Sequence, residues 1–213
     1  MQEIKIHNHH WKVRENTNDI DIINENFVYG FYNLDLIEGD VKTFIDIGAH
    51  IGSFTVKLKK KYPDAKGKIY EPMQENYKLL KFNIKNIDGV ESYNTTVSGD
   101  RLPGKLKRKH DFNTGENLFD YTSDCEYPNT HINDIVTDEV DVLKLDCEGG
   151  ENSIFENLDF SKVKYIFCEL HSCGSIIGND ATVAMIKEKG FKLLHYKKVD
   201  EYLSEFVAKK VNT

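Results

Sequence analysis

A chain of 213 residues, 39% hydrophobic and 30% charged, suits one α/β domain with a core of its own. Its formal charge of -7 argues against a dedicated nucleic-acid binder, which carries a basic footprint. The opening MQEIKIHNHH has no signal-peptide apolar core, and no uncharged apolar run reaches membrane-spanning length, so a soluble, cytoplasmic protein is expected. The four cysteines (Cys125, Cys147, Cys168 and Cys173) form no CxxC pair and are read as reduced thiols.

Taken in order, Gln2 to Val13 has strand character, anchored by Ile4, Ile6 and Trp11. His7, His9 and His10 are assigned to a solvated strand edge, because no ligand cluster accompanies them. Residues 18–36 mix aromatics with acids and are expected to lie over a cofactor cleft, making 1–42 an extension or lid; pattern alone leaves their conformation open. The chain is organised around Thr43 to Thr55, TFIDIGAHIGSFT. A short apolar strand carrying Asp46 runs into Gly48 and Gly52, then into a helix over Ser53 to Lys61 with Phe54, Val56 and Leu58. A strand, a glycine turn and a helix N-terminus form a cradle for a nucleotide-like ligand. The Gly-x-x-x-Gly spacing differs from the dinucleotide fingerprint, and no Lys-Ser/Thr pair makes a P-loop.

Lys66 to Tyr70 reads as the second strand, ending at Glu71 and Pro72. Asn76 to Ile87 reads as a helix with Tyr77, Leu80 and Ile84 at helical spacing, and Gly89 to Val97 as a third strand ending near Ser98. This β-α-β-α-β alternation predicts a parallel sheet with right-handed crossovers. Residues 99–128 break the pattern and are expected to form an insertion over the active face. Its basic run, Lys105 to His110, is read as a solvated face, with contact to an anionic substrate as the sharper alternative. Thr130 to Val136 reads as a short capped helix, and Val140 to Asp146 as a strand buried on both faces. A helix over Glu151 to Leu158, a strand over Val163 to Leu170 and a helix over Asn179 to Lys189, stopped by Gly190, follow. Phe191 to Lys197 and Tyr202 to Lys209 close the chain as antiparallel neighbours at one edge. With no repeat or linker, 1–213 is taken as a single domain.

In open α/β sheets ligands sit beyond the carboxyl ends of the strands. Those ends carry Asp46 and Gly48, then Glu71, then Thr96 and Ser98, then Asp146, Cys147 and Glu148, then Glu169 and His171. Glu71 lies about 20 residues beyond the glycine turn, where an acid accepts bonds from ribose hydroxyls. If the fourth strand runs on to Glu148, then Lys144, Asp146 and Glu148 share one side of it. Unpaired buried charge is costly, so either Lys144 neutralises an acid or the acids face a reacting centre. Glu169 and His171 also share parity. They suit deprotonation of a hydroxyl, or, with Asp146, a divalent ion. No metal is assigned.

With both foci in view, the chain resembles the FkbM family of S-adenosylmethionine (SAM)-dependent methyltransferases. The matching pieces are FIDIGAHIGSFT, YEPMQENYKLLKFNI, THINDIV, VDVLKLDCEGGE and FCELH, in family order across about Thr43 to His171. The resemblance implies a class I methyltransferase fold, Rossmann-like α/β: a seven-stranded, mostly parallel sheet with one antiparallel strand and helices on both faces. It implies SAM as cofactor and O-methylation of a sugar or another small hydroxyl acceptor. By resemblance, Asp46, Gly48 and the Ala49 to Ser53 turn, with His50 and Gly52 in it, wrap the methionine part of SAM, Glu71 binds the ribose, Ser98 borders adenine, and Phe54, Pro72 and Asp146 are further cofactor contacts. Lys144, Asp146, Glu148 and Glu151 line the transfer site, with His171 or Glu148 as base. His50 stands where the family has Asn, and Gly150 where it has Ala. The competing readings are an NAD-dependent oxidoreductase, a non-catalytic SAM-binding module and a nucleic-acid methyltransferase.

Overall fold

The computed structural model describes residues 1–30, 32–102, 104–108, 117–119, 126–171 and 178–211, with the backbone alone at 104–108 and 117–119. The chain opens with a hairpin of β1 (Gln2–Ile6) and β2 (His9–Val13), followed by α1 (Asp19–Phe27) and a 3-10 turn at Leu34–Leu36. Next come β3 (Thr43–Ile47), α2 (Ser53–Lys61), β4 (Lys66–Tyr70), α3 (Gln74–Asn83), β5 (Val90–Tyr93) and β6 (Thr96–Ser98). The excursion holds β7 (Gly104–Arg108), β8 (Asn117–Phe119) and β9 (Glu126–Tyr127), before β10 (Asn129–His131) and α4 (Ile132–Ile135). The last elements are β11 (Val140–Leu145), α5 (Glu151–Asn157), a 3-10 turn at Phe160–Lys162, β12 (Val163–His171), α6 (Asn179–Glu188), β13 (Phe191–Lys198) and β14 (Leu203–Lys210).

Seven strands form the main sheet in the order β13-β14-β12-β11-β3-β4-β5. Only β14 runs against its neighbours; the pairs from β12 to β5 are all parallel. This is the seven-stranded architecture expected from the sequence. The strand order reverses between β3 and β11, and such a switch point opens a crevice at the carboxyl ends of the strands.

Alternation along the strands divides the core between two faces. Ile45, Ile47, Leu143 and Leu145 pack with Ile154, Phe155, Val183 and Ile186 under α5 and α6. Phe44, Val142 and Phe167 pack with Phe54, Leu58 and Leu80 under α2 and α3. Each such fully buried side chain stabilises the fold by about 1.5–3 kcal/mol. A smaller cluster ties the opening hairpin down: Trp11 and Val13 pack with Ile23, Ile51, Val56 and Leu79. Among the described residues no helix is long and apolar enough to cross a membrane.

Several boundaries differ from expectation. The third strand is two strands. β5 stops at Tyr93, and β6 pairs instead with β10, outside the main sheet. Asn94 sits at the break and donates to Glu71 O and Pro72 O, both at 2.8 Å. Thr95 and Thr96 then bond Pro128 O through their hydroxyls, which draws the chain away from β4. The helix expected over Thr130 to Val136 shrinks to one turn, because Asn129 to His131 pair with β6. His7 and His9 are not on a solvated edge. His7 stacks on Phe27 at 4.7 Å, and His9 Nε2 lies 2.7 Å from Asn83 O; His10 alone is exposed. Cys147 and Cys168 are free thiols. Cys125, Cys173 and the side chains of the basic run Lys105 to His110 lie outside the described residues.

Gly48 shows why the central turn requires glycine. Its φ is +77°, and a Cβ there would lie 1.6 Å from Asp146 O. The loop after β11 is that close because Asp146 N donates to Ile47 O at 3.1 Å. Gly39 has a similar φ of +86° but open space around it. Gly48→Ala is expected to cost at least about 3 kcal/mol by urea denaturation, against about 1 kcal/mol for Gly39→Ala. Equal losses would show that backbone conformation, and not the approach of β11, sets the requirement.

Candidate active site

The loop from β3 to α2 folds against the end of β4. Gly48 N and Ala49 N both donate to Tyr70 O at 3.0 Å, and Gly52 N donates to Ala49 O. His50, at φ +50°, donates its backbone N–H to Glu71 Oε2 at 2.9 Å. Glu71 Oε1 accepts from Met73 N at 2.8 Å and from Asn76 Nδ2 at 3.2 Å. A carboxylate offers about four acceptor sites, so these three bonds leave room for a ligand hydroxyl. That remaining acceptor capacity, at the end of the strand next to the glycine turn, suits the adenosyl ligand implied by the sequence. Burial pushes the Glu71 carboxyl up to about 7, although all three donors favour its charge.

Residues of the opening segment close over this end. The Arg14 guanidinium grips Asp19 through Nε and Nη2, at 3.0 and 2.7 Å, and reaches Asn76 Oδ1 through Nη1 at 2.9 Å. Burial opposes the charge of Asp19, but the Arg14 bonds outweigh it and hold the carboxyl below its ordinary value. His50 Nε2 lies 3.3 Å from Arg14 Nη2. Burial lowers the His50 pKa to about 4, so its ring is neutral near pH 7. Asn26 Nδ2 donates to Ser53 Oγ at 2.9 Å, fixing α1 to the start of α2.

Lys144, 2% exposed, sits beneath the switch point. Its Nζ donates to Gly48 O at 2.6 Å and lies 3.3 Å from Asp46 Oδ1 and 3.4 Å from Asp146 Oδ2. Burial works against its charge, but Asp146 and Asp46 raise its pKa above the ordinary value. Asp46 also accepts from Thr55 Oγ1 at 2.7 Å. Tyr32, buried against Phe54, donates its hydroxyl to Asp146 Oδ2 at 3.0 Å.

Beyond Leu145 the chain leaves the sheet. Glu148 has φ +56° and Gly149 +106°, so Glu148 does not extend the strand, and the parity argument that placed it fails. The tight turn instead brings Glu148 Oε2 within 3.5 Å of His171 Nε2, and Glu169 Oε1 lies 3.8 Å from the same nitrogen. Glu151, wholly buried, accepts from Cys147 N, Gly149 N and His171 N at 2.7, 3.0 and 3.3 Å. Burial disfavours a charged His171, but Glu151, then Glu148 and Glu169, hold its proton well above the ordinary imidazole range.

The structure therefore gathers Asp46, Gly48, Lys144, Asp146, Glu148, Glu169 and His171 at one sheet edge, with Ala49, His50, Gly52 and Glu71 beside them. Two expected cofactor contacts stand apart. Phe54 lies in the core between Tyr32 and Phe167, at centroid distances of 5.3 and 6.1 Å. Ser98 belongs to the separate β6–β10 pair, where its hydroxyl donates to Asp100 O and accepts from Asn129 Nδ2. Pro72 is half-buried, and its carbonyl is taken by Asn94. Sequence reasoning missed Arg14, Asp19, Tyr32, Asn76 and Asn94. Of these, only Asn76, inside the EP-x-x-x-N pattern, carried a local signal.

The sheet order, the glycine turn and the acid after β4 together define a class I methyltransferase fold. The sequence matches the Methyltransferase FkbM domain over residues 46–193, more than half of its length, and the chain belongs to that family. It is 23% identical over 184 residues to Methyltransferase 1 of Beauveria bassiana (strain ARSEF 2860), covering 71% of this chain and 73% of that one. It is 23% identical over 191 residues to Methyltransferase sdnD of Sordaria araneosa, covering 70% and 73%. Among solved structures it resembles the N-methyltransferase NodS from Bradyrhizobium japonicum WM9, with a TM-score of 0.54, 10% identity and coverage of 92% and 99%. It also resembles an O-methyltransferase family protein from Burkholderia thailandensis, with a TM-score of 0.51, 10% identity and coverage of 88% of this chain and 56% of that one. The two structural neighbours methylate different elements by name, so the shared fold leaves the acceptor atom open. Family membership sets the NAD-dependent oxidoreductase reading aside.

Folded Glu71 keeps its proton to about pH 7, whereas the ordinary value is 4.5. Between those values the native state binds more protons than the unfolded one, so stability falls as pH rises. Wild type is expected to lose on the order of 3 kcal/mol relative to Glu71→Gln between about pH 5 and 8. A pH-independent difference in urea stability would reject the burial of this carboxyl.

Proposed function

We propose that the chain transfers the methyl group of SAM to a hydroxyl oxygen of a small molecule, with sugars as the first acceptor class to test. One observation carries this reading: Asp46, Glu71, Asp146 and His171 lie at the carboxyl ends of four successive strands of the sheet, on either side of the switch point. When bound there, SAM supplies an electrophilic methyl group on a sulfonium. The chain has to seat the cofactor, align a hydroxyl with the methyl and accept its proton.

Glu71 accepts a bond from a ribose hydroxyl, and the Gly48 to Ser53 turn gives the methionine part close access to backbone. Asp46 and Asp146, held apart and oriented by Lys144, would supply negative charge to favour a bound sulfonium. Residues 1–42 act as a cover, with Tyr32 fastened to Asp146 and Arg14 fastened to Asn76. Lys144 and His171 both hold their protons tightly and so are poor proton acceptors. Proton removal falls to the carboxylates of Asp146 and Glu148, with His171 backing them, because burial holds the Glu169 carboxyl well above the usual carboxylate range. An acidic chain with such a site favours a small acceptor over nucleic acid.

Glu71→Ala is expected to weaken SAM binding about tenfold by calorimetry, the scale of a lost buried hydrogen bond. Glu148→Gln is expected to leave SAM affinity within about twofold while lowering turnover at least about 100-fold in a screen of sugar and hydroxyl acceptors. Unchanged SAM affinity in the first variant removes the ribose role of Glu71. Full turnover in the second removes Glu148 from the chemistry.

A further inference from the structure

The contacts around His171 are too long for a set of salt-bridged hydrogen bonds. Nε2 lies 3.5 Å from Glu148 Oε2 and 3.8 Å from Glu169 Oε1, and Nδ1 lies 3.5 Å from Glu151 Oε1. Good N–H···O bonds run about 2.7–3.2 Å. His171 is 8% exposed, and its Nδ1 makes no hydrogen bond. Yet one donor atom from each of Asp146, Glu148 and His171 lies within 4.8 Å of the other two. An octahedral ion with bonds of about 2.1–2.4 Å holds neighbouring donors about 3.0–3.4 Å apart and opposed donors about 4.2–4.8 Å apart. The 3.5 Å between His171 Nε2 and Glu148 Oε2, loose for a hydrogen bond, is close to the separation of neighbouring donors on one cation.

The surroundings are built for the same purpose. Glu151 accepts from Cys147 N and Gly149 N, the residues on either side of Glu148, and so fixes the turn that aims Glu148 at His171. Its Oε1 also faces His171 Nδ1, as an outer carboxylate does behind a metal-ligating imidazole. Among the described residues no sulfur joins the donor group, although Cys147 lies between Asp146 and Glu148 in sequence. One imidazole with carboxylates and no thiolate suits Mg2+ or Mn2+ better than zinc.

We propose that Asp146, Glu148 and His171 bind a divalent cation of the Mg2+ and Mn2+ class, with Glu169 beside it and Glu151 orienting the site. Its purpose rests on the methyl-transfer reading: at the β11 and β12 ends, the ion polarises the acceptor hydroxyl. Binding itself is independent of turnover and can be tested alone.

Mn2+ is titrated into the metal-stripped full-length protein without SAM, and free ion is followed by electron paramagnetic resonance. One saturable Mn2+ per chain, displaced by Mg2+, is expected. Affinity should fall at least about tenfold in Glu148→Gln and in Asp146→Asn. Glu148 lies in a turn with a partly exposed side chain, so its variant keeps the fold even if His171→Gln does not; circular dichroism checks each. Absence of a saturable site, or equal affinity in wild type and both folded variants, overturns the cation. Turnover that survives chelation in a protein that binds no Mn2+ overturns the cation and leaves methyl transfer standing. Mn2+ binding without turnover upholds the cation and counts against methyl transfer instead.

Discussion

One buried ammonium group holds the site's two halves together. Lys144 Nζ reaches Gly48 O on the β3 side and lies between Asp46 and Asp146, one acid from each strand flanking the switch point. Isolated, any of these three charges would be expensive in a core this dry; together they neutralise one another and fix the separation of β3 and β11. The same contact explains the glycine. With β11 drawn in far enough for Asp146 N to reach Ile47 O, no room remains for a side chain at position 48. Stability and geometry are therefore one problem here: removing the lysine would leave the buried Asp46 and the half-buried Asp146 without their shared cation and loosen the turn that they frame.

The opening segment is coupled to both ends of that edge. At one end Arg14 links Asp19 to Asn76, and Asn76 in turn bonds Glu71. At the other, Tyr32 donates to Asp146 while Lys57 Nζ bonds Asn26 O and Tyr32 O, both at 2.6 Å. The cover thus touches the residues beside the turn through polar contacts, while Trp11 and Val13 anchor it through apolar ones.

Much of this was legible in the chain. The β3–turn–α2 unit, the fourth strand and the acids at strand ends follow from local pattern, because hydrophobic period and glycine act over a few residues. What escaped depends on pairs far apart in sequence. Nothing near Arg14 announces that it meets Asn76, and nothing near Tyr32 announces Asp146. The break after Tyr93 was missed because Thr95 and Thr96 favour strands by type, and only Pro128 O, supplied by the excursion, redirects them. Glu148 came out near His171 for a different reason from the one expected: a left-handed turn, not strand parity. Phe54 looked like part of the ligand-facing turn from its position alone, but helix geometry turns it into the core.

The two ends of the edge also differ in electrostatic character, and the difference follows from which groups have partners. At the β4 end burial dominates: the Glu71 pKa is pushed up to about 7 and the His50 pKa down to about 4, so both groups tend toward neutrality. At the β11 and β12 ends opposite charges outweigh burial at Lys144 and His171, which keep their protons, whereas burial pushes the Glu169 carboxyl up. A near-neutral seat rich in hydrogen-bonding groups suits the uncharged sugar of a nucleoside. A seat in which charges are retained in low dielectric suits a step in which charge moves, since each fixed charge acts there with less screening than in water. The strand ends thus differ in electrostatic character along a single edge, with Lys144 between the two.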